Sequence, residues 1–364
     1  MKILLVVSTR PNFMKVAPLL HALSKRPERF ESVLVHTGQH YDAKMSDVFF
    51  EDLKLPAPKH NLGVGSGTQG EMTGKAMMAF DPVLLEEKPD FVVVVGDVNP
   101  TLSCAVGAVK QHIAVGHVEA GLRSRDRKMP EEINRIVADV VSDYLFTPSR
   151  DADENLKAEG IPDSRIHFVG NVMVDSLRKT EPSLDTSTIL DDMGLSPKGY
   201  ALATSHRPAN VDEPGPLGCV LSCLDRVQRH LPVVLPLHPR TRSRIETFGL
   251  TDQLEAMTNI KVTGPVGYLD SLRLQRDSAL AVTDSAGLQE ETTVFGVPCL
   301  TMRPNTERPV TVDVGTSTIV NLDADLVEEK TVEVLEGRYK QGAIPEYWDG
   351  RASERIVDIL DRMF

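Results

Sequence analysis

Aromatic residues are scarce in this chain: 5% of its 364 residues, with a single Trp. A core so poor in rings must be filled by aliphatic side chains, and 41% hydrophobic content over this length suffices for two domains of ordinary size. Cysteine is scarce too. Cys104, Cys219, Cys223 and Cys299 are spread thinly through apolar surroundings, which predicts buried, reduced thiols rather than disulfides. Neither Cys-x-x-Cys nor His-Glu-x-x-His occurs, so the familiar zinc spacings are missing and no structural metal is expected. Positive charge is in deficit: 40 Lys and Arg against 52 Asp and Glu leave a net charge of -12, which repels a phosphate backbone and argues against nucleic acid as a partner. No apolar run is long enough to span a bilayer, and the opening MKILLVV meets Arg10 and Pro11 too soon for a signal-peptide core. A cytoplasmic protein that stays off the membrane is the expectation.

What the chain does contain is short apolar runs of strand length between helical segments. KILLVV, SVLVHT, FVVVVG, IAVGHV and YLFTPS occur in the first half, and YALATS, PVVLPLH, ALAVTD and VPCLTM in the second. These runs are apolar at every position rather than alternate ones, so helices should cover both faces of each sheet. The predicted class is α/β, a doubly wound parallel sheet formed twice. The rhythm stops after HFVGNVMVDSL, where KTEPSLDTSTILDDMGLSPKG collects Pro, Ser, Thr and Asp and reads as a domain boundary.

Ligands of open parallel sheets bind at the carboxyl ends of the strands, so the strand-to-helix turns are where chemistry is sought. STRPNFMK sets Arg10 and Lys15 beside a helix start, which suits a phosphate or carboxylate and equally suits a capped helix with solvated cations. The glycines of a dinucleotide fingerprint are missing there. GVGSGTQG follows a loop rather than a strand, GEMTGK is one residue short of a Walker loop, and both read as flexible loop. ALAVTD runs into SAGLQEE, where Ser285, Ala286 and Gly287 leave room for backbone N–H groups to touch a phosphate, and Glu291 is placed for ribose hydroxyls. A Ser N-cap followed by acidic residues explains the same letters without a ligand. TSHRP adds His206 and Arg207 after one strand, and RPNTERP adds Arg303 and Arg308 after another.

VVVVGD ends in Asp97 and IAVGHVEAG carries His117 and Glu119, each entering a turn of small residues. Asp97 has an alternative use as a helix cap; Glu119, followed by Ala120 and Gly121, has less. In MPEEINR, Pro130 opens a helix, Glu131 and Glu132 occupy its first turn, and Arg135 four residues after Glu131 predicts an ion pair. Were Asp97, Glu119 and Glu131 to converge with Arg123 and Arg135 at one sheet edge, repulsion would raise carboxyl pKa values and guanidiniums lower them, leaving an acid and a base together at neutral pH.

Taken in order and spacing, TRPNFMKVAPL, HTGQH, GDVNPT, GHVEAGLRSRDRKMPEEINR, GNVMVDSL, SHRP, TDSAGLQEET and TERPVTV resemble the non-hydrolysing UDP-N-acetylglucosamine 2-epimerases over nearly the full length. The resemblance implies a GT-B type fold, two Rossmann-like domains with a ligand cleft between them. Residues 1–170 would carry the catalytic carboxylates and 171–350 would bind UDP, while 351–364, where RASERIVDILDRMF is amphipathic, would form a helix packed back on the first domain. The family exchanges UDP-N-acetylglucosamine and UDP-N-acetylmannosamine through a glucal, with no cofactor or metal. Position by position, Asp97, Glu119 and Glu131 resemble the catalytic carboxylates and His206 the histidine at the pyrophosphate. Arg10, Lys15 and Arg135 resemble substrate-contacting cations, Ser285 to Gly287 the phosphate turn, Glu291 the ribose ligand, and Gln39 with His40 an activator site; Arg207 and Arg308, from the basic rim of the second half, are read as substrate-binding beside them. The implied partner is a UDP-sugar and the implied assembly a homodimer.

The sequence departs from the family pattern in places: Ser8 and Asn12 replace a Gly and a Glu, Ala286 replaces the first of a Gly pair, SHRPA keeps Arg207 but lacks the second Arg and the Glu that many members have after the histidine, and PLHPRTR is unusual after His238. Four other readings compete: a hydrolysing epimerase that releases free N-acetylmannosamine, an epimerase of a related UDP-acetamido sugar, a GT-B glycosyltransferase, and a non-catalytic nucleotide-sugar sensor.

Overall fold

The computed structural model describes residues 1–8, 10–38 and 55–363, with Arg10 and Pro11 described by backbone alone. Gln39, His40 and the side chain of Arg10 therefore lie outside the described residues. Two compact units are present, Met1–Ser176 joined by Glu346–Phe364, and Leu177–Pro345. The first change of unit, between Ser176 and Leu177, falls inside the helix Val172–Thr180.

In the first unit the strands are β1 (Lys2–Val7), β2 (Glu31–His36), β3 (His60–Asn61), β4 (Phe91–Val95), β5 (Ala114–Val118), β6 (Tyr144–Thr147) and β7 (Ile166–Phe168), in the parallel order β3-β2-β1-β4-β5-β6-β7. The second unit holds β8 (Ala201–Thr204), β9 (Val233–Pro236), β10 (Ile260–Thr263), β11 (Leu280–Thr283), β12 (Cys299–Thr301) and β13 (Ser317–Ile319), in the parallel order β10-β9-β8-β11-β12-β13. Both sheets run outward from their first strand in both directions, the doubly wound pattern whose reversal point marks the usual ligand edge.

Side-chain alternation in β1 shows why helices cover both faces. Ile3, Leu5 and Val7 join an apolar cluster with Phe13 and Leu19 of the helix Arg10–Ser24 and with Ile356 and Leu360 of the terminal helix. Leu4 and Val6 point the other way, toward Phe80 and Leu84 of the helix Gln69–Glu87 and Cys104 of the helix Asn99–Lys110. Each such buried aliphatic side chain contributes about 1.5–3 kcal/mol relative to exposure, so a strand that is apolar from Ile3 to Val7 fixes a helix on each side. The second unit repeats this, with Ala201 and Ala203 in one cluster and Tyr200 and Leu202 in another.

Three sequence readings change. GEMTGK is no loop: it lies in the helix Gln69–Glu87, started by a reciprocal cap in which Thr68 Oγ1 accepts from Glu71 N and Glu71 Oε2 accepts from Thr68 N at 2.9 Å. Within 179–199, where the sequence shows only a loss of the strand–helix rhythm, Glu181–Thr186 and Ile189–Asp192 form short helices, and Leu190 packs against Tyr200, Leu202 and Leu274, so the stretch just past the change of unit joins the second unit's core. Cys104, Cys223 and Cys299 are buried as expected, but Cys219, on the helix Pro214–Gln228 one turn before the buried Cys223, is exposed.

The terminal segment closes the first unit. Trp348 is buried and its Nε1 donates to Pro148 O at 2.9 Å, while Asp175 accepts from Ala352 N at 3.0 Å and Ser353 N at 2.7 Å and so holds the start of the helix Ala352–Met363. The backbone at Tyr347 crosses so close to Gly170 (φ +91°) that a Cβ there would lie 2.1 Å from the Tyr347 carbonyl oxygen. No helix among the described residues is long and apolar enough to cross a membrane.

Candidate active site

At the carboxyl ends of β4 and β5 the first unit collects its charges. Gly96 takes φ +71°, and a Cβ there would lie 3.2 Å from Glu119 Oε2 and 3.3 Å from Lys15 Nζ, so the turn that carries Asp97 lies directly against the Glu119–Lys15 pair. Glu119 itself adopts φ +72°, a conformation uncommon for a residue with a side chain, and its N–H and that of Ala120 both point at Phe146 O, at 3.0 and 3.1 Å. Its buried carboxylate accepts from the buried ammonium of Lys15. Either group left alone there would be an uncompensated buried charge.

Asp97 is half-buried, and its Oδ2 accepts from Arg135 Nε at 3.0 Å and Nη2 at 2.7 Å. The expected Glu131–Arg135 pair is not made. Arg135 is 2% exposed and turns into the unit, where Nη1 donates to Glu132 Oε2 at 2.6 Å; Glu132 in turn accepts from Ser124 N, Ser124 Oγ and Arg125 N. Glu131 is half-exposed, and its carboxylate makes no hydrogen bond or ion pair with the described residues. Arg123 does not join this group either: its guanidinium is held by Asp139 Oδ2 at 2.7 Å and by Glu159 at 2.6 and 2.8 Å. Asp139 is fully buried on the inner face of the helix Pro130–Val141; burial pushes its pKa upward, but His117 and Arg123 more than reverse this and hold it below the usual aspartate value. His117 completes the network, with Nδ1 2.6 Å from Asp139 Oδ1 and Nε2 2.8 Å from Gly96 O. Asp139 and Glu132 were missed as polar residues of one helix. Their signal was the burial that the apolar stripe of that helix implies for neighbours on its inner side.

In the second unit the hub is Asp284, directly after β11 and fully buried. It accepts from Ser205 Oγ at 2.8 Å, His206 N at 3.0 Å, Arg207 N at 3.0 Å and Asn210 Nδ2 at 3.1 Å, so it fixes the turn after β8. His206 Nδ1 lies 3.4 Å from Asp284 Oδ1, and the half-exposed His206 ring stands 5.7 Å from that of His238, whose pKa is lowered by burial and then by His206 and Arg240. Ser285 caps the helix Ala286–Phe295 by accepting from Leu288 N at 3.4 Å, and Ser285, Ala286 and Gly287 are all half-exposed. Glu291 is buried one turn further on. The arginines form a web: Glu307 accepts from Arg207 at 3.0 Å, Arg303 at 2.6 Å and Arg308 at 3.0 Å, and Arg308 Nε also donates to Glu290. Arg207 and Arg308 are therefore already engaged by carboxylates. Asp284 and Glu307 went unassigned, although ALAVTD ends in an aspartate much as VVVVGD does.

Among the described residues, one further cluster has metal-ligand types. His60, Glu86 and Glu87 offer ligand atoms within 4.8 Å of one another. Glu87 is already taken by Lys59 Nζ at 2.7 Å, His60 Nε2 at 2.6 Å and Lys2 Nζ at 3.3 Å, so two ammoniums stand where a cation would be bound.

Two parallel sheets of one strand order, each with its polar residues gathered at the carboxyl edge, define an α/β protein of the GT-B type. Residues 21–361 match the family described as UDP-N-acetylglucosamine 2-epimerase. UDP-N-acetylglucosamine 2-epimerase of Methanocaldococcus jannaschii is 42% identical over 99% of both chains, and its crystal structure in complex with UDP-GlcNAc and UDP superimposes with a TM-score of 0.92 over 100% of both. UDP-2,3-diacetamido-2,3-dideoxy-D-glucuronate 2-epimerase of Pseudomonas aeruginosa is 43% identical over 100% of both chains. The chain belongs to the UDP-N-acetylglucosamine 2-epimerase family.

Proposed function

We propose that this chain interconverts UDP-N-acetylglucosamine and UDP-N-acetylmannosamine by the non-hydrolysing route. A base removes the C2 proton, the C1–O bond to the diphosphate breaks with its electron pair leaving on UDP, and a 2-acetamidoglucal remains. UDP then adds back at C1 while C2 receives a proton on its other face. Such a sequence needs proton-transfer groups and fixed positive charge together. The observation that carries the reading is the set of paired charges at the ends of β4 and β5, where Glu119 meets Lys15 beside the turn that brings Asp97 to Arg135.

On this reading Asp97, Glu119 and Glu131 move protons, and His206 assists at the diphosphate. The half-exposed turn Ser285–Ala286–Gly287 receives phosphate at a helix start, and Glu291 takes the ribose. Arg10, Lys15 and Arg135 supply positive charge, while Arg207 and Arg308 contribute from the web around Glu307. Incubation with UDP-N-acetylglucosamine in deuterated water tests this: the expected product is UDP-N-acetylmannosamine bearing deuterium at C2. Accumulation of free N-acetylmannosamine would instead identify a hydrolysing enzyme. If neither appears, UDP-2,3-diacetamido-2,3-dideoxy-D-glucuronate is the next substrate, a second reading favoured by the 43% identical Pseudomonas relative. We propose further that the protein works in the cytoplasm as a homodimer; the exposed Met78 and Leu85 on one helix support the dimer, and sedimentation as a 40.0 kDa species would refute it.

A further inference from the structure

The His117 ring is fully buried, and both of its nitrogens face oxygen acceptors. Gly96 O is a carbonyl and can only accept, so Nε2 carries a hydrogen. Asp139 Oδ1 belongs to a carboxylate whose other oxygen receives two donors, Gly121 N at 3.1 Å and Arg123 Nη1 at 2.7 Å. Those partners favour the ionised carboxylate, and an ionised carboxylate also only accepts, so Nδ1 carries a hydrogen as well. A neutral ring would present a bare lone pair to one of the two oxygens.

This ring lies where the two carboxylate-bearing turns meet. On one side it fixes the carbonyl of Gly96, whose left-handed backbone precedes Asp97 and whose N–H donates to Val118 O at 3.0 Å. On the other side it is tied through Asp139 to Gly121 and Arg123, the residues that follow Glu119. Charge-assisted hydrogen bonds of this kind are about twice as strong as neutral ones and are directional. We propose that His117, as a buried imidazolium tied to Asp139, is a positioning residue that fixes the Gly96–Asp97 turn relative to Glu119. It touches no substrate. It holds the spacing between two carboxylates, and a misplacement of about 1 Å in such a pair costs on the order of 100-fold in rate.

The role in turnover rests on the epimerase reading, whereas the ring protons do not. Neutron diffraction from crystals of the wild-type chain reads the protons directly: deuterons on both Nδ1 and Nε2 are expected, and a bare nitrogen at either position overturns the clamp. For positioning, His117→Gln and Asp139→Asn are compared with wild type on whichever UDP-acetamido sugar the wild type turns over. A fall in kcat of about 100-fold, with KM and UDP affinity within about threefold, is expected. A kcat within about fivefold of wild type in a folded variant, or a loss confined to KM, overturns the positioning role. Asp139→Asn gives a second route should His117→Gln fail to fold. A wild-type chain inert toward every UDP-acetamido sugar defeats the epimerase reading and not the clamp, which the neutron map decides.

Discussion

The two units share a strand order and differ in how they use a carboxylate after the strand next to their first. Asp97, beyond β4, is half-buried and faces a guanidinium; Asp284, beyond β11, is fully buried and faces backbone N–H groups, a hydroxyl and an amide. The first is a charge set against another charge in reach of solvent. The second is consumed in shaping a turn, and what it leaves half-exposed is His206 and the Ser285–Gly287 helix start. Residue type and position along a strand do not decide whether an aspartate is chemical or architectural. The partners of its oxygens do.

Substitutions can break that comparison. The largest effect is expected from Glu119→Gln and Asp97→Asn, which should lower deuterium incorporation at C2 by about 10²- to 10⁴-fold and leave UDP affinity nearly unchanged. Equal losses in both measurements would show that the first unit also grips the nucleotide. Asp284→Ala strips the acceptor from several buried donors, and urea unfolding should report a loss of about 2–4 kcal/mol together with weaker UDP binding. A neutral outcome would remove the distinction between the two aspartates.

Glu87 sharpens the contrast away from either site. Hydrogen bonds from Lys59 and then His60, opposed by burial, and a further one from Lys2 hold its pKa at about 2, below the ordinary 4.5. A carboxyl depressed in the folded state stabilises fully above its unfolded value, and that contribution fades as pH falls from about 4.5 toward 2. Glu87→Gln should therefore cost about 2–3 kcal/mol near neutral pH and flatten the acid limb of a stability profile. The smallest effect belongs to Arg229→Ala. Its i,i+4 partner Asp225 shares a solvated helix face, so the change should stay under about 0.5 kcal/mol by the same unfolding measurement.

The central strands were legible because strands buried on both faces leave an uninterrupted apolar run: KILLVV is β1, and FVVVV is β4. Strands β3, β7, β10 and β13 were not, since all four are sheet edges whose residues are largely half-buried or exposed, and no such run marks them. Glu119 and Asp97 stand out as candidates in the sequence because each follows directly on an apolar strand run. Choosing between Glu131 and Glu132 as the partner of Arg135 required knowing which way that arginine turns, and adjacent helix positions differ by about 100° in direction. Buried acceptors such as Asp139, Asp284 and Glu307 act on groups distant in sequence, so local pattern alone carried no sign of their partners.

Because Glu346–Phe364 returns to the first unit, the second unit is in effect an insertion within it. On the ribosome the first sheet must wait for its last helix while the whole second unit is made, roughly ten seconds or more at ordinary elongation rates. During that interval Leu5, Phe13 and Leu19 lack Ile356 and Leu360 as neighbours. Shortening this protein from its far end thus damages the part synthesised first.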